Sequence, residues 1–288
     1  MALKLRKLSY ALGAEVCGVD VGAPMTEAFF GEIYQAFLDH GILLFRGHEV
    51  TREQHIDFSR RFGELDRHDA LPRDRHPDYP EILLVTNEPK PDGSPSDSRY
   101  TGRQWHSDMS FTTVPSLGSL LRGITIPDVG GDTVFANMYL AYESLSDGMK
   151  NMIADLHGIH QSGTRKINAA ESGVPRAEEQ KKLNPPIAQP VVRVHHDTGR
   201  KTLYLGDKVK RFDGMTESES QPLIKYLNDH ATRFEHIYRH QWQQHDIIVW
   251  DNRCTMHLAL GDFDETQRRH MERTTVLGTP SGYVVENG

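Results

Sequence analysis

Between Thr26 and His40 apolar side chains return every three or four positions, with Phe29, Phe30, Ile33, Phe37 and Leu38 on one face, and Gly41 follows. That spacing predicts an amphipathic helix over 26–40, closed by a glycine that adopts the left-handed conformation without strain. Ile42-Leu-Leu-Phe45 is apolar throughout and too short for a helix, so it is predicted as a buried strand. Thr51-Arg-Glu-Gln54 and Thr216-Glu-Ser-Glu219 are capping boxes, in which the hydroxyl and the side chain three residues on satisfy each other's free N–H groups. The first opens a helix through Phe62 that Gly63 ends; the second opens one toward His230. Ser146 caps a further helix to about Leu156.

Weak alternation over 13–21 and apolar runs at 82–86, 120–126, 133–136, 246–250 and 273–277 predict strands. The runs 191–195 and 202–205 flank Asp197-Thr-Gly-Arg200, a hairpin signal. His257 is placed at the end of the strand that starts at Asp246, with Asp251 and Asn252 ordering the turn before it. Two polar stretches rich in Pro, Gly, Ser and Asp, 88–104 and 161–190, predict loops long enough to serve as lids or binding loops. Many short strands, few helices and no dividing linker point to one β-rich barrel or sandwich over 1–288, with helices packed outside.

Composition narrows the class. Of 288 residues, 37% are hydrophobic and 25% charged, as in ordinary globular proteins. The net charge of −7 argues against non-specific nucleic-acid binding, which needs a basic face. No apolar run approaches the ~18 residues of a membrane span, and the N-terminal residues interleave basic and apolar side chains without a signal-peptide core. Two cysteines, Cys17 and Cys254, make no disulfide framework and fit a reducing compartment, the cytoplasm. Sixteen histidines are a surplus that metal binding or acid–base chemistry would explain.

The phosphate-loop, dinucleotide, G-x-S-x-G, H-E-x-x-H and C-x-x-C signatures are absent from the sequence. The sharpest feature present is Trp105-His106-Ser107-Asp108. On extended backbone, residues i and i+2 project to one face, so His106 and Asp108 can grip one ion. His257, 151 residues downstream, supplies a second imidazole. Two His and one carboxylate leave coordination positions open, the facial pattern of non-heme Fe(II) oxygenases. Arg268, Arg269 and Arg273 follow; such guanidinium groups can clamp carboxylates bidentately, or can form a solvated basic turn. His195 and His196 are adjacent and point to opposite faces of a strand, and His230, His236, His240 and His245 are expected on the surface. Trp105, Trp250 and Cys254 are expected to pack rather than react.

Taken with Gly130-Gly131-Asp132-Thr133, Trp250-Asp251-Asn252-Arg253 and Arg269…Arg273-Thr274-Thr275, the H-x-D motif resembles the TauD/TfdA family of Fe(II)- and 2-oxoglutarate-dependent dioxygenases. Gly13-Ala-Glu-Val-Cys-Gly-Val-Asp20 and Phe58-Ser-Arg-Arg-Phe-Gly-Glu-Leu65 extend the resemblance over nearly the whole chain. It implies a double-stranded β-helix (jelly-roll) core; Fe(II) held by His106, Asp108 and His257; and the distal carboxylate of 2-oxoglutarate held by Thr133 and Arg269, with Arg268 as the alternative across a one-residue insertion. It implies Arg273 for the substrate anion, with His68, Met109 and Phe111 on the substrate side. The implied reaction consumes O2 and 2-oxoglutarate, releases succinate and CO2, and hydroxylates a small organic anion, in some cases thereby cleaving it; the Asp108 carboxylate argues against halogenation. A carboxylate such as an aryloxyalkanoate is expected, with a taurine-like sulfonate or sulfate ester as the alternative. The other class of reading is a non-enzymatic β-barrel with a vestigial metal site. A homo-oligomer, dimer or tetramer, is expected, with no nucleic-acid or membrane partner.

Overall fold

A computed structural model describes residues 3–69, 74–90, 92–96, 98–162 and 185–285. In chain order the elements are β1 (Lys4–Lys7), β2 (Ala14–Cys17), α1 (Glu27–His40), β3 (Ile42–Phe45), α2 (Arg52–Arg60), β4 (Leu83–Thr86), β5 (Ser116–Thr125) and β6 (Thr133–Asn137). Then come α3 (Met138–Glu143), α4 (Asp147–Ile153), β7 (His157–His160), β8 (Ile187–Pro190), β9 (Val192–Val194), β10 (Lys201–Leu203) and β11 (Val209–Phe212). The chain ends with α5 (Glu217–Ala231), β12 (Ile237–His240), β13 (Ile247–Asp251), β14 (Thr255–Ala259), β15 (His270–Leu277) and β16 (Tyr283–Val284).

The predicted start and stop signals operate. Thr26 accepts from the Phe29 amide, Gly41 takes the left-handed conformation at φ 69°, and both capping boxes form reciprocally at Thr51 and Thr216. A seven-stranded sheet runs β1-β2-β3-β13-β5-β15-β4, antiparallel except where β2 meets β3. A three-stranded sheet, β12-β6-β14, and a four-stranded one, β11-β7-β8-β16, make the remainder with the β9–β10 hairpin. Strand β3, and β13 as far as Trp250, are apolar because both their faces are covered. Leu43, Phe45, Ile247 and Val249 pack against α1 and α2 through Phe30, Ile33, Phe37, Ile56 and Phe58. The alternate residues Ile42, Leu44, Ile248 and Trp250 pack against Phe135 of the three-stranded sheet. A period of two thus sorts one apolar run into two cores.

Three expectations change. The segment from Asp246 to His257 is two strands in different sheets, broken at 252–254, where Asp251 accepts from the Arg253 amide and the Thr255 hydroxyl donates to the Asp251 carbonyl. The predicted loop 161–190 ends in strand β8, which pairs with β7; 163–184 lie outside the described residues. Strands β1, β7, β11 and β12, and the pairing of β8 and β16, carry no period that marked them in advance.

One ionic cluster lies inside the long sheet. Glu272 of β15 is fully buried and accepts from Arg52 and Arg122, with His270 beside it. Burial pushes the carboxyl up, but His270 and the two arginines outweigh it and hold it well below the usual range. Removing one partner of a buried pair strands the other charge. Glu272→Ala should lower unfolding free energy by about 3–5 kcal/mol at neutral pH. Because the native carboxyl is depressed, that difference should shrink as pH falls below ~4.3; denaturant melts of both proteins across pH check it.

Candidate active site

Backbone pairing assembles the centre. His106 donates its amide to the His257 carbonyl at 3.0 Å, and His257 returns the bond at 2.8 Å. This reciprocal antiparallel pair sets two side chains opposite one another, and the ring centroids lie 4.1 Å apart. His257 belongs to β14, whose neighbour β6 places Phe135 against it; Trp250 covers it with ring centroids 4.8 Å apart. Two residues past His106, Asp108 brings Oδ1 to 3.7 Å from His106 Nε2 and 3.8 Å from His257 Nε2. One ligand atom from each of the three lies within 4.8 Å of the others.

The supports of these groups set their chemistry. His106 Nδ1 donates to the Gln104 carbonyl at 2.7 Å, which turns Nε2 toward Asp108. Burial, aided by His106, pushes His257 well below its usual pKa, so its ring is neutral. Asp108 is only 4% exposed. Its burial raises the carboxyl, yet the groups around it, Arg273 foremost, outweigh that and keep it ionised. Oδ2 accepts from Ser119 Oγ at 2.8 Å, and Arg273 Nη1 donates to Oδ1. Asn252 joins these pieces: its Oδ1 accepts from the Asp108 amide at 3.1 Å and from Trp250 Nε1 at 3.0 Å, and its amide donates to Ser119 Oγ at 2.9 Å. Two imidazoles and one ionised carboxylate, with one ligand atom each within 4.8 Å of the others, fit a divalent iron that keeps open positions.

Arg269 and Arg273 reach different places. Arg269 is 7% exposed and, among the described residues, its side chain donates through Nε and Nη2 to the Gly131 carbonyl alone, at 3.2 and 3.0 Å. Burial pushes its pKa down to about 10, with Arg103 adding to the effect and Asp132 opposing it. Gly131 sits at φ 70°, and a Cβ there would approach Arg269 Nε to 3.2 Å, so the turn admits the guanidinium only because it is glycine. Beside it Thr133 Oγ accepts from Trp242 Nε1 at 3.0 Å and keeps its proton to donate. Arg268 is exposed, 3.9 Å from Glu88. A register shift between His270 and Met271 interrupts the regular strand on which Arg269 and Arg273 would share a face by even spacing.

A model of the taurine catabolism dioxygenase TauD, TfdA family matches residues 4–275. The chain belongs to that family. It is 33% identical to an alkylsulfatase of Acinetobacter baylyi over 282 residues, 96% of this chain and 85% of the relative. It is 31% identical to a (S)-phenoxypropionate/alpha-ketoglutarate-dioxygenase of Sphingobium herbicidovorans, covering 97% and 96%. Among solved structures it is similar to AAD-2 in complex with Mn(II) and N-oxalylglycine, with a TM-score of 0.82, 31% identity and 98% and 100% coverage. This TauD/TfdA protein is therefore a mainly β, jelly-roll oxidoreductase that uses Fe(II), 2-oxoglutarate and O2.

The remaining expected residues fall around that centre. His68 is buried at φ 55°, with Nε2 3.2 Å from the Glu81 carbonyl; burial, then Arg273, pushes it down to about 3, so it presents a neutral ring. Met109, at φ 52°, and Phe111 are buried just beyond Asp108. A second cluster, His195, Asp251 and Cys254, is buried, but Arg253 forks onto both Asp251 oxygens at 2.9 and 2.7 Å, which makes it an ion pair rather than a metal site. The surface assignment of the later histidines is wrong for three of four. His230 is buried against the Ala141 carbonyl, His236 against the His230 carbonyl and His240 against Tyr238, while His245 is half-buried. Ser119 and the bridging role of Asn252 were missed; a serine directly before the apolar pair Leu120-Leu121 of β5 was the available signal.

The buried Arg269 and the exposed Arg268 make a matched pair. Arg269→Ala should raise the 2-oxoglutarate requirement by the ~2–5 kcal/mol of a broken buried charge pair, with Arg268→Ala near wild type. The KM for 2-oxoglutarate of each variant checks it, and the reverse ranking would exchange the two arginines.

Proposed function

We propose that this dioxygenase hydroxylates a small organic carboxylate of the aryloxyalkanoate kind, held by Arg273. The carrying observation is that Arg273, 6% exposed, is tied through one nitrogen to the ligand carboxylate Asp108, while its Nε has no hydrogen-bond partner among the described residues. A buried guanidinium with spare donors beside the metal ligands suits an anionic substrate. The names of the relatives, which include 2,4-dichlorophenoxyacetate dioxygenases, support the carboxylate; the alkylsulfatase and a sulfate ester dioxygenase support a sulfate ester as the second reading.

In this reading Thr133 and Arg269 take the far carboxylate of 2-oxoglutarate, and the Gly130-Gly131 turn keeps a close seat for it. His106, Asp108 and His257 hold Fe(II), which with 2-oxoglutarate and O2 supplies oxidative decarboxylation to succinate and CO2 and the oxygen atom that enters a substrate C–H bond. Arg273 fixes the anion at a set distance from Asp108, so that one carbon faces the metal; this is orientation rather than bond-making. His68, neutral and buried, and Met109 and Phe111 line the substrate side without adding charge. Hydroxylation beside an ether or ester oxygen leaves a product that falls apart, which makes the reaction a cleavage. The chain acts as one domain in the cytoplasm as a homo-oligomer, with the end of the 88–104 segment beside the site, where a Cβ on Gly102 would lie 3.5 Å from the His106 ring. No helix among the described residues is long and apolar enough to cross a membrane.

A succinate-release screen over aryloxyalkanoates, alkyl sulfates, sulfonates and amino acids tests the class. Arg273→Gln should raise KM for the preferred anion and lower kcat/KM about 10²-fold, the ~2–3 kcal/mol of a charge-assisted contact. The 2-oxoglutarate KM should hold, and succinate should run ahead of hydroxylated product. Loss of 2-oxoglutarate binding with substrate KM unchanged would exchange the roles of the two arginines.

A further inference from the structure

Three polar side chains near the metal ligands have no part in that chemistry. Tyr204, directly after β10, is 2% exposed; His160, the last residue of β7, is fully buried; Arg193, in β9, lies over the Tyr204 ring at 4.3 Å. The His160 ring stacks on the same phenol, with centroids 5.4 Å apart. Tyr204 Oη, Arg193 Nη1 and both His160 nitrogens are buried without a hydrogen-bond partner among the described residues. Buried polar groups are nearly always paired, so four such atoms in one row call for a ligand. Burial, then Arg193, pushes His160 down to about 3, so it is neutral and supplies one donor and one acceptor. The row therefore offers a guanidinium, a phenol O–H and an imidazole N–H.

Its position is set by backbone contact. Gly206, two residues past Tyr204, packs so closely on the H-x-D segment that a Cβ there would lie 2.8 Å from the Trp105 carbonyl and 3.2 Å from His106 Cα. The Asp207 amide donates to that same carbonyl at 2.8 Å. Apart from burial, Arg193 and then Asp108 act on the Tyr204 phenol. The row rests on the β9–β10 hairpin and on β7 of the four-stranded sheet, whereas Arg273 comes from β15 of the seven-stranded sheet.

We propose that Arg193, Tyr204 and His160 form a second substrate-recognition patch, which takes an anionic oxygen group, a second carboxylate or its equivalent, at the end of the substrate remote from Arg273. This rests on the reading of an anionic substrate at Arg273 and narrows it to a substrate with two acidic ends. A guanidinium backed by an aromatic face is held flat for a planar, two-oxygen acceptor. The neutral imidazole and phenol add donors without a competing charge.

The test compares phenoxyacetate with 4-carboxyphenoxyacetate, one skeleton without and with the distal carboxylate. Succinate release gives KM and kcat, and calorimetry without O2 on Mn(II)- and N-oxalylglycine-loaded protein gives binding. The wild type should prefer the dicarboxylate by about tenfold or more, one to two charge-assisted hydrogen bonds. Tyr204→Phe, which keeps the ring, and Arg193→Gln should erase that preference with phenoxyacetate KM, 2-oxoglutarate KM and iron content unchanged. Arg193→Lys should restore part of it, since charge returns without the planar fork. A wild type with no preference, or variants that weaken both probes alike, would overturn the patch and leave the dioxygenase reading standing. Absence of succinate release with either probe would count against the aryloxyalkanoate reading alone, and the calorimetric preference would then decide the patch.

Discussion

A carboxylate buried to 4% exposure cannot remain ionised without compensation, and the architecture around Asp108 is what supplies it. Ser119 comes from β5, Arg273 from β15, His257 from β14, and Asn252 from the turn that carries the chain between two sheets. Each contact fixes a register: β5 against β13 and β15, and His106 against His257 by reciprocal backbone bonds. Slipping any of these by one residue would turn a supporting side chain to the opposite face. Among these groups Arg273 brings the charge that opposes burial most strongly.

The arginines show how burial divides labour among chemically identical groups. Arg268 stands in solvent, Arg269 is swallowed beside a glycine turn with no direct carboxylate partner among the described residues, and Arg273 is tied to the ligand carboxylate. A buried guanidinium that donates only to one carbonyl oxygen retains charge and donors for a carboxylate that arrives later. Arg193 over Tyr204 repeats the condition on the β9–β10 hairpin.

Much of this was legible in the residues. The capping boxes at Thr51 and Thr216 and the glycine after His40 mark helix ends because they solve a local hydrogen-bonding problem, and they hold in the folded chain. His106, Asp108 and His257 could be named because two ligands share a two-residue period, and His257 downstream then matched the third ligand that the family resemblance implies. The short strands were opaque: His157-Gly-Ile-His160 has neither alternation nor an apolar run, and its pairing with β8 and β11 comes from tertiary context. The turn at 252–254 was hidden inside an apparently continuous strand, since what breaks it is side-chain capping by Asp251. The histidines at 230, 236 and 240 were misplaced because imidazole is buried readily once a carbonyl or hydroxyl accepts from it, and those acceptors are distant in sequence.

The most direct measurement is an anaerobic titration of the purified protein with Fe(II), with and without 2-oxoglutarate, followed by visible absorption. One iron per chain is expected, with a band that needs both Fe(II) and 2-oxoglutarate, survives His195→Ala and disappears in Asp108→Ala. A wild type without the band, or a band of full intensity in Asp108→Ala, would contradict the assignment of His106, Asp108 and His257 as the centre on which the rest depends.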